Sequence, residues 1–398
     1  MKILAVSEHF LPRIAGTSEY VLQTCSALAQ AGHDVHLLIP GDSAEDAAIT
    51  EYPFRVTALG ANWPAKEDPT RTVRYRFCER VSDYAEESAK NGSYEVLHVL
   101  FGLFVAEVLD TKKLKEMGLP SLLTVHNVPP QECRRSWAGD SWLNQMRDRA
   151  RVSAMTWKNH SRLKQKDFAA YIVPCEIVEK LLSSIKTDAL VKVVPHGISE
   201  ELCRLETIPS SRAPNPSCPV QLLTVGGWMP HKRQHLIPSI ASSLKQEGID
   251  FVWNLAGPTR RSPRYQSSIL TEIKKLSLVD HVKVLGPVPE DRLAQLYSEA
   301  NLYIQPSTEE GFCITALNAA GFGIPVIGSP AGAIPDISRI SRGTLAPSNV
   351  HDISKAIFHF IKAGLWEESS EEVANQVREQ YTWLKSAQKL ADIYSSLA

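Results

Sequence analysis

Four short segments of this chain carry residues able to hold an anion or a sugar hydroxyl, three of them together with glycine. The densest is Gln305-Pro306-Ser307-Thr308-Glu309-Glu310-Gly311-Phe312-Cys313-Ile314, which runs into a helical pattern carrying Asn318. Amides from Gly311 to Ile314 at a helix N-terminus make a ready anion site. Carboxylates there also serve as simple partners of the helix dipole. Glu310 and Asn318 stand eight positions apart, a little over two helical turns. One therefore reaches a sugar beyond the phosphates while the other reaches a ribose. A second segment, Val225-Gly226-Gly227-Trp228-Met229-Pro230-His231-Lys232-Arg233, sets two glycines after an apolar run and a basic pair at a helix start. Such a loop suits a pyrophosphate, with close amides and a neutralising ammonium, or it is a solvated basic helix end.

The third segment is Thr124-Val125-His126-Asn127. A histidine at a strand's C-terminal end hydrogen-bonds a sugar hydroxyl or stabilises developing charge, unless its role is structural. The fourth runs from His9 to Glu19, where Gly16 lets the backbone approach a ligand and Ser18 can cap a helix whose amides face an anion. An ordinary capped turn has the same composition. The fingerprint GxGxxG is missing from this loop, which counts against a nicotinamide dehydrogenase.

Short apolar runs alternate with helical patterns along the whole chain, the mark of a parallel α/β architecture. Strands are expected at 3–6, 35–39, 54–59, 96–100, 121–125, 171–173 and 191–194, with a helix over 18–31 closed by Gly32. The stretch from Thr207 to Pro219 has four prolines, three serines and no periodicity, and reads as an interdomain linker. A second series of strands follows at 221–225, 251–256, 282–285, 302–305 and 325–328, with helices at 234–246, 265–276, 292–300 and 314–321. Two similar halves imply two domains facing each other across a cleft, with ligand at the carboxyl ends of the strands.

Bulk numbers agree with a globular protein. The 398 residues are 43% hydrophobic and 22% charged, enough for about two or three domains with sizeable cores. A formal net charge of −1 gives no sign of a nucleic-acid partner. Seven scattered cysteines offer neither a disulfide framework nor CxxC-type metal spacing, as for thiols in a reducing cytosol. The apolar run after Met1 is too short for a signal-peptide core, and no stretch approaches the roughly 20 residues of a membrane span. A soluble, cytoplasmic protein is expected, with room for contact at the inner face of a membrane.

At the level of motifs the chain resembles glycosyltransferase family 4 over essentially its whole length. The resemblance is carried by Phe10-x-Pro12…Gly16-x-x-Glu19, Val194-Pro195-His196-Gly197-Ile198, Leu255-Ala256-Gly257-Pro258, Val284-Leu285-Gly286-Pro287-Val288 and Tyr381-Thr382-Trp383. Its most specific part is PSTEEGFCITALNAAGFGIPVIGSPAGAIPD, similar to the family's Glu-x7-Glu region and the glycine loop after it. The resemblance implies the GT-B fold: two Rossmann-like domains, an N-terminal acceptor domain at 1–206, a linker at 207–219, a nucleotide-sugar domain at 220–372 and a last segment, 373–398, packing back on the first domain. It also implies a retaining, metal-independent transferase with no cofactor beyond the nucleotide-diphosphate sugar itself.

Residue by residue, the resemblance implies that Glu310 bonds donor-sugar hydroxyls. Amides of Gly311, Phe312, Cys313 and Ile314 hold the diphosphate. Lys232 offsets leaving-group charge, and His126 contacts the transferred sugar near its anomeric centre. Gly16 and Thr17 cover the phosphates or the reacting sugar, and Val288 lines the base. Three positions depart from the family pattern. Asn318 replaces the second glutamate, Gly227 stands where an arginine is usual, and Thr17 replaces a second glycine. Arg233 or Arg260 is then expected to substitute at the phosphate. UDP-sugars are the favoured donors from family frequency, with GDP-mannose next and a hexose or N-acetylhexosamine as the group moved. Alternatives are a nucleotide-sugar epimerase of the same fold class and a catalytically silent nucleotide- or partner-binding homologue.

Residues Arg134–Lys166 hold nine Lys or Arg against two Asp, interleaved with Trp137, Trp142 and Trp157. The segment reads as a solvated basic helix, or as a surface for a phosphorylated acceptor or an anionic membrane.

Overall fold

Apolar runs buried on both faces are what a parallel sheet demands, and Ile3, Leu4, Ala5 and Val6 are all buried in the first strand. The computed structural model describes residues 1–10, 16–41, 52–60, 70–128, 140–199, 202, 204, 208–209, 211–215, 217–258, 263–366 and 370–397. These form two units: Met1–Val128 with Lys158–Gly197 and Thr382–Ala398, and Pro129–Trp157 with Ile198–Tyr381.

Unit 1 is built on seven strands: β1 (Lys2–Ser7), β2 (Asp34–Pro40), β3 (Arg55–Leu59), β4 (Val96–Phe101), β5 (Ser121–Thr124), β6 (Ala170–Val173) and β7 (Val191–Val193). They lie in the order β3-β2-β1-β4-β5-β6-β7, every pair parallel. Helices α1 (Gly16–Gln30), α2 (Arg71–Lys90), α3 (Leu103–Val108), α4 (Thr111–Glu116) and α6 (Glu176–Ser183) fall between them, and α5 (Trp142–Gln165) belongs to unit 2 as far as Trp157 and to unit 1 from Lys158. Gly32 ends α1 in the left-handed region, with the His33 amide donating to Leu28 O at 3.1 Å.

Unit 2 repeats the plan. Strands β8 (Val220–Val225), β9 (Phe251–Ala256), β10 (Val282–Gly286), β11 (Leu302–Gln305), β12 (Val326–Gly328) and β13 (Thr344–Leu345) lie in the order β10-β9-β8-β11-β12-β13, again all parallel. Its helices are α7 (Ile237–Gln246), α8 (Pro263–Lys275), α9 (Glu290–Glu299), α10 (Ile314–Gly321), α11 (Ile334–Ile340), α12 (Val350–Lys362) and α13 (Ser370–Gln380). The core under this sheet gathers Ile237, Ile240, Phe251, Trp253, Tyr265 and Phe360. Trp253 pays no desolvation penalty for its indole, which donates to Thr224 Oγ1 at 3.1 Å.

The last helix, α14 (Trp383–Ser395), returns to unit 1, where it packs on α1 and the Tyr394 hydroxyl meets His98 Nδ1 at 2.6 Å. Its start is capped by Thr382, whose hydroxyl accepts from the Lys385 amide. Gly197 lies so close to Trp383 that an added Cβ would stand 2.4 Å from its backbone nitrogen.

Two expectations shift. Ile198 already belongs to unit 2, its amide donating to Tyr381 O at 2.9 Å, so the chain changes units before the expected linker at 207–219. Within that stretch Arg212 is buried, donating to the carbonyls of Tyr297, Ser298, Ala300 and Phe322. Those carbonyls end α9 and α10, where a cation suits the helix dipole. The helix expected from Gln234 begins regularly only at Ile237. Two 3-10 turns, Pro230–Lys232 and Gln234–Leu236, precede it around Arg233 in a left-handed conformation (φ 59°).

Candidate functional site

In each sheet the strand order reverses once, between β1 and β4 in unit 1 and between β8 and β11 in unit 2, and such switch points open a crevice at the strands' carboxyl ends. In unit 2 that point lies between the Gly226 loop and the Glu310 loop. The two loops are fastened together: the Thr308 amide donates to His231 O at 2.9 Å, which sets Lys232 beside Glu310. Lys232 Nζ lies 2.7 Å from both carboxylate oxygens of Glu310. Glu310 is buried, and its Oε1 also accepts from Ser307 Oγ (2.7 Å) and Gln305 Nε2 (3.1 Å).

Burial alone would raise the Glu310 pKa, but the Lys232 ammonium and these hydrogen bonds hold it below the ordinary carboxylate value. It is charged at neutral pH. Neighbouring His231 stays neutral, pushed down to about 4 by burial and then by Lys232. Beneath the pair, the Tyr303 hydroxyl lies 3.0 Å from Gln305 Oε1 and 2.9 Å from Thr315 Oγ1, joining β11 to the first turn of α10.

Cys313 caps α10 in a left-handed conformation (φ 74°, ψ 65°), and the first amides of the helix have no partner within it. Gly332 (φ 52°) lies against this loop; an added Cβ would stand 2.3 Å from Gly311 O and 2.6 Å from Glu310 O. That glycine is demanded by packing. Gly227 is not: the nearest atoms to an added Cβ lie 4.0 Å away, on Pro258. Asn318 is buried on α10, with Oδ1 accepting from the Ser199 amide at 3.0 Å. Arg233 turns its Nη2 to Ser348 O at 2.9 Å. Val288 is half-buried on the loop after β10.

Unit 1 presents rings instead. His126, following β5, has Nε2 2.8 Å from Leu100 O, so that nitrogen carries the proton and Nδ1 is the acceptor. Burial lowers its pKa to about 4, against the Leu100 hydrogen bond, so the ring is neutral at pH 7. It meets Tyr20 edge-on at 4.5 Å and His196 at 5.6 Å, and His196 stacks on Trp383 at 5.8 Å. Gly16 opens α1 with nothing within 4 Å of an added Cβ, and Thr17 follows it half-buried.

The family model described as Glycosyltransferase Family 4 matches residues 14–202, and the one described as Glycosyl transferases group 1 matches residues 210–380. The chain belongs to glycosyltransferase family 4. Among its relatives is the D-inositol 3-phosphate glycosyltransferase of Streptosporangium roseum, 21% identical over 96% of this chain and 88% of that protein. A phosphatidylinositol N-acetylglucosaminyltransferase subunit of Arabidopsis thaliana is 29% identical over 30% of this chain, a match that spans 27% of its own length. Among solved structures, Anabaena Alr3699/HepE in complex with UDP superposes with a TM-score of 0.71 at 15% identity, covering 100% of both chains. The family-4 chain thus has the GT-B fold.

Of the expected site residues, unit 2 brings together Lys232, Glu310, Gly311, Phe312, Cys313 and Ile314 around one switch point. Arg233 and Asn318 are engaged with Ser348 and Ser199. Pro12, Trp137 and Arg260 lie outside the described residues. Sequence reasoning did not single out Gln305, Ser307, Thr308 or Thr315, whose polar side chains in an apolar strand-to-helix passage were the available signal. Among the described residues no helix is long and apolar enough to cross a membrane, and no cluster of three His, Cys, Asp or Glu could hold a metal ion.

Proposed function

We propose that this family-4 protein is a retaining transferase that moves a hexose or N-acetylhexosamine from a UDP-sugar to an acceptor hydroxyl. The observation that carries the reading is the buried Lys232–Glu310 pair beside the N-terminus of α10. A carboxylate kept charged by an ammonium binds sugar hydroxyls strongly. The same ammonium and the α10 amides offset charge on a departing diphosphate, with no metal required. The UDP bound to the similar Anabaena protein favours a uridine nucleotide, and the N-acetylglucosaminyl activity named for the Arabidopsis relative keeps that sugar among the candidates.

In this reading the bond from the anomeric carbon to the diphosphate oxygen breaks as the acceptor oxygen bonds on the same face. The acceptor proton passes to the departing diphosphate. Val288 lines the base, and Asn318 offers its amide NH2 to the ribose. In unit 1, His126 is neutral with Nδ1 as acceptor, suited to take a hydrogen bond from a sugar hydroxyl rather than to supply positive charge.

The test is calorimetry and turnover with a panel of nucleotide sugars, followed by the anomeric configuration of the product. Binding of a UDP-sugar and a product of unchanged configuration are expected. A Glu310→Ala variant that keeps full sugar transfer would remove Glu310 from the site, and isomerisation of the donor without acceptor would replace the reading by an epimerase.

A further inference from the structure

Helix α5 carries a stripe of large apolar side chains in solvent. Trp142 is 70% exposed, Leu143 57%, Met146 47% and Trp157 75%. Positions 142, 146, 150, 153 and 157 repeat at intervals of three and four and so share one face, with Leu143 beside it. Ala150 and Ser153, between the tryptophans, are exposed as well. The face turned away from it holds buried Asp148, with Val152 half-buried. A contiguous apolar stripe of this kind on a surface marks a docking site.

Charge identifies the occupant. From Trp142 to Lys158 the helix has four cations and one acid. Arg151 is committed to Asp148 at 2.8 Å. Arg147, Arg149 and Lys158 pair with no carboxylate among the described residues. At 100° per residue Arg149 flanks one edge of the stripe, while Arg147 and Lys158 flank the other. Indole rings with an apolar body and a polar N–H, set between long cationic side chains, match the boundary between acyl chains and anionic headgroups.

We infer that this face of α5 docks on an anionic lipid bilayer, the helix lying in the interface plane. The inference is independent of the donor reading, since its test contains no nucleotide sugar. The full chain is sedimented with vesicles of phosphatidylglycerol and phosphatidylcholine, and with vesicles of phosphatidylcholine alone. Binding to the anionic vesicles at low salt is expected, with a blue shift of tryptophan emission and release as salt rises. Each neutralised cation should weaken binding about fivefold, so the triple variant R147Q/R149Q/K158Q loses about a hundredfold. The double variant W142A/W157A should lose about tenfold or more, with an unchanged circular-dichroism melt because both side chains are exposed. Three results overturn the inference: no sedimentation with anionic vesicles at low salt, equal binding to neutral vesicles, or a W142A/W157A variant that binds as the parent does. So does a stable dimer in light scattering that W142A/W157A makes monomeric, which would assign the face to a second copy.

Discussion

The two sheets share one strand order and one switch point, yet the groups at their carboxyl ends differ. Unit 2 sets a half-buried ammonium against a buried carboxylate at a helix N-terminus. Unit 1 sets neutral rings: His98 Nε2 lies 2.8 Å from Thr124 Oγ1, which in turn lies 3.1 Å from the Tyr20 hydroxyl, with His126 and His196 packed on Tyr20. The backbone plan therefore supplies a place and nothing more. The Lys232 ammonium lies in the unit where a diphosphate would sit, while the charged group at the β1–β4 switch point is Glu8, which accepts from the Phe104 and Val105 amides and meets Arg74 at 3.6 Å. The rings beside it are neutral at pH 7, and this difference between the units can be broken experimentally.

The largest effect is expected at the charged end. Lys232→Met leaves the Glu310 carboxylate buried without its counter-ion, a loss of about 3–5 kcal/mol in stability. Pairing it with Glu310→Gln should restore most of that loss, because the two changes remove both charges, while sugar transfer stays down about a hundredfold. Chemical denaturation and kcat/KM of the two single variants and the double variant form the cycle. A Lys232→Met protein as stable as the parent would show that the pair contributes no net charge balance, and the contrast between the units would collapse.

Acid should separate the units next. Burial lowers the pKa of His98 to about 3 and that of His126 to about 4, the neighbouring ring adding to the effect at His98. Unfolding returns such rings to about 6.5, so below that pH the unfolded chain binds more protons. Their contribution is complete above pH 6.5 and falls as pH drops towards 4, by up to about 1.4 kcal/mol per pH unit for each ring. Glu310, whose folded pKa is depressed, contributes above its ordinary value of 4.5 and loses that contribution only below it. His231 and His235, lowered to about 4 by burial, add a share from unit 2. Melting temperature against pH should thus fall first between 6.5 and 4. His98→Gln should flatten that fall and Glu310→Gln should not; identical slopes would deny the rings their part.

How much of this was legible depended on sequence distance. Buried parallel strands announce themselves as apolar runs, so β9 and β11 were readable to the residue, as was α10. Strand β13, two residues long, has no period to read. The Lys232–Glu310 contact spans 78 positions and the Asn318–Ser199 bond 119, separations that local pattern cannot pair. Resemblance placed Lys232 at the diphosphate and Glu310 at the donor sugar without showing that they bind each other. Arg212 was hidden for a different reason: in a proline-rich stretch a basic residue reads as solvated, whereas here it satisfies the carbonyl ends of two helices. Composition could not reveal which glycines face open space, since Gly332 and Gly227 differ in backbone conformation and in what lies across from them.

The smallest expected effect concerns how the helices at the two switch points begin. Helix α1 starts at Gly16, with open space around an added Cβ, while α10 starts after Cys313, a side chain held where L-residues are disfavoured by about 1–2 kcal/mol. Comparing Cys313→Gly with Cys313→Ala isolates the backbone, because both lack the buried thiol. Glycine adopts the left-handed region freely, and in an ordinary helix it would be the worse of the two. At this position the order should invert, with the glycine variant more stable by about 1 kcal/mol in chemical denaturation. Alanine equal or better would mean that the loop relaxes out of the left-handed conformation. The α10 amides would then have no fixed direction, and the switch point of unit 2 would be no better preorganised for an anion than that of unit 1.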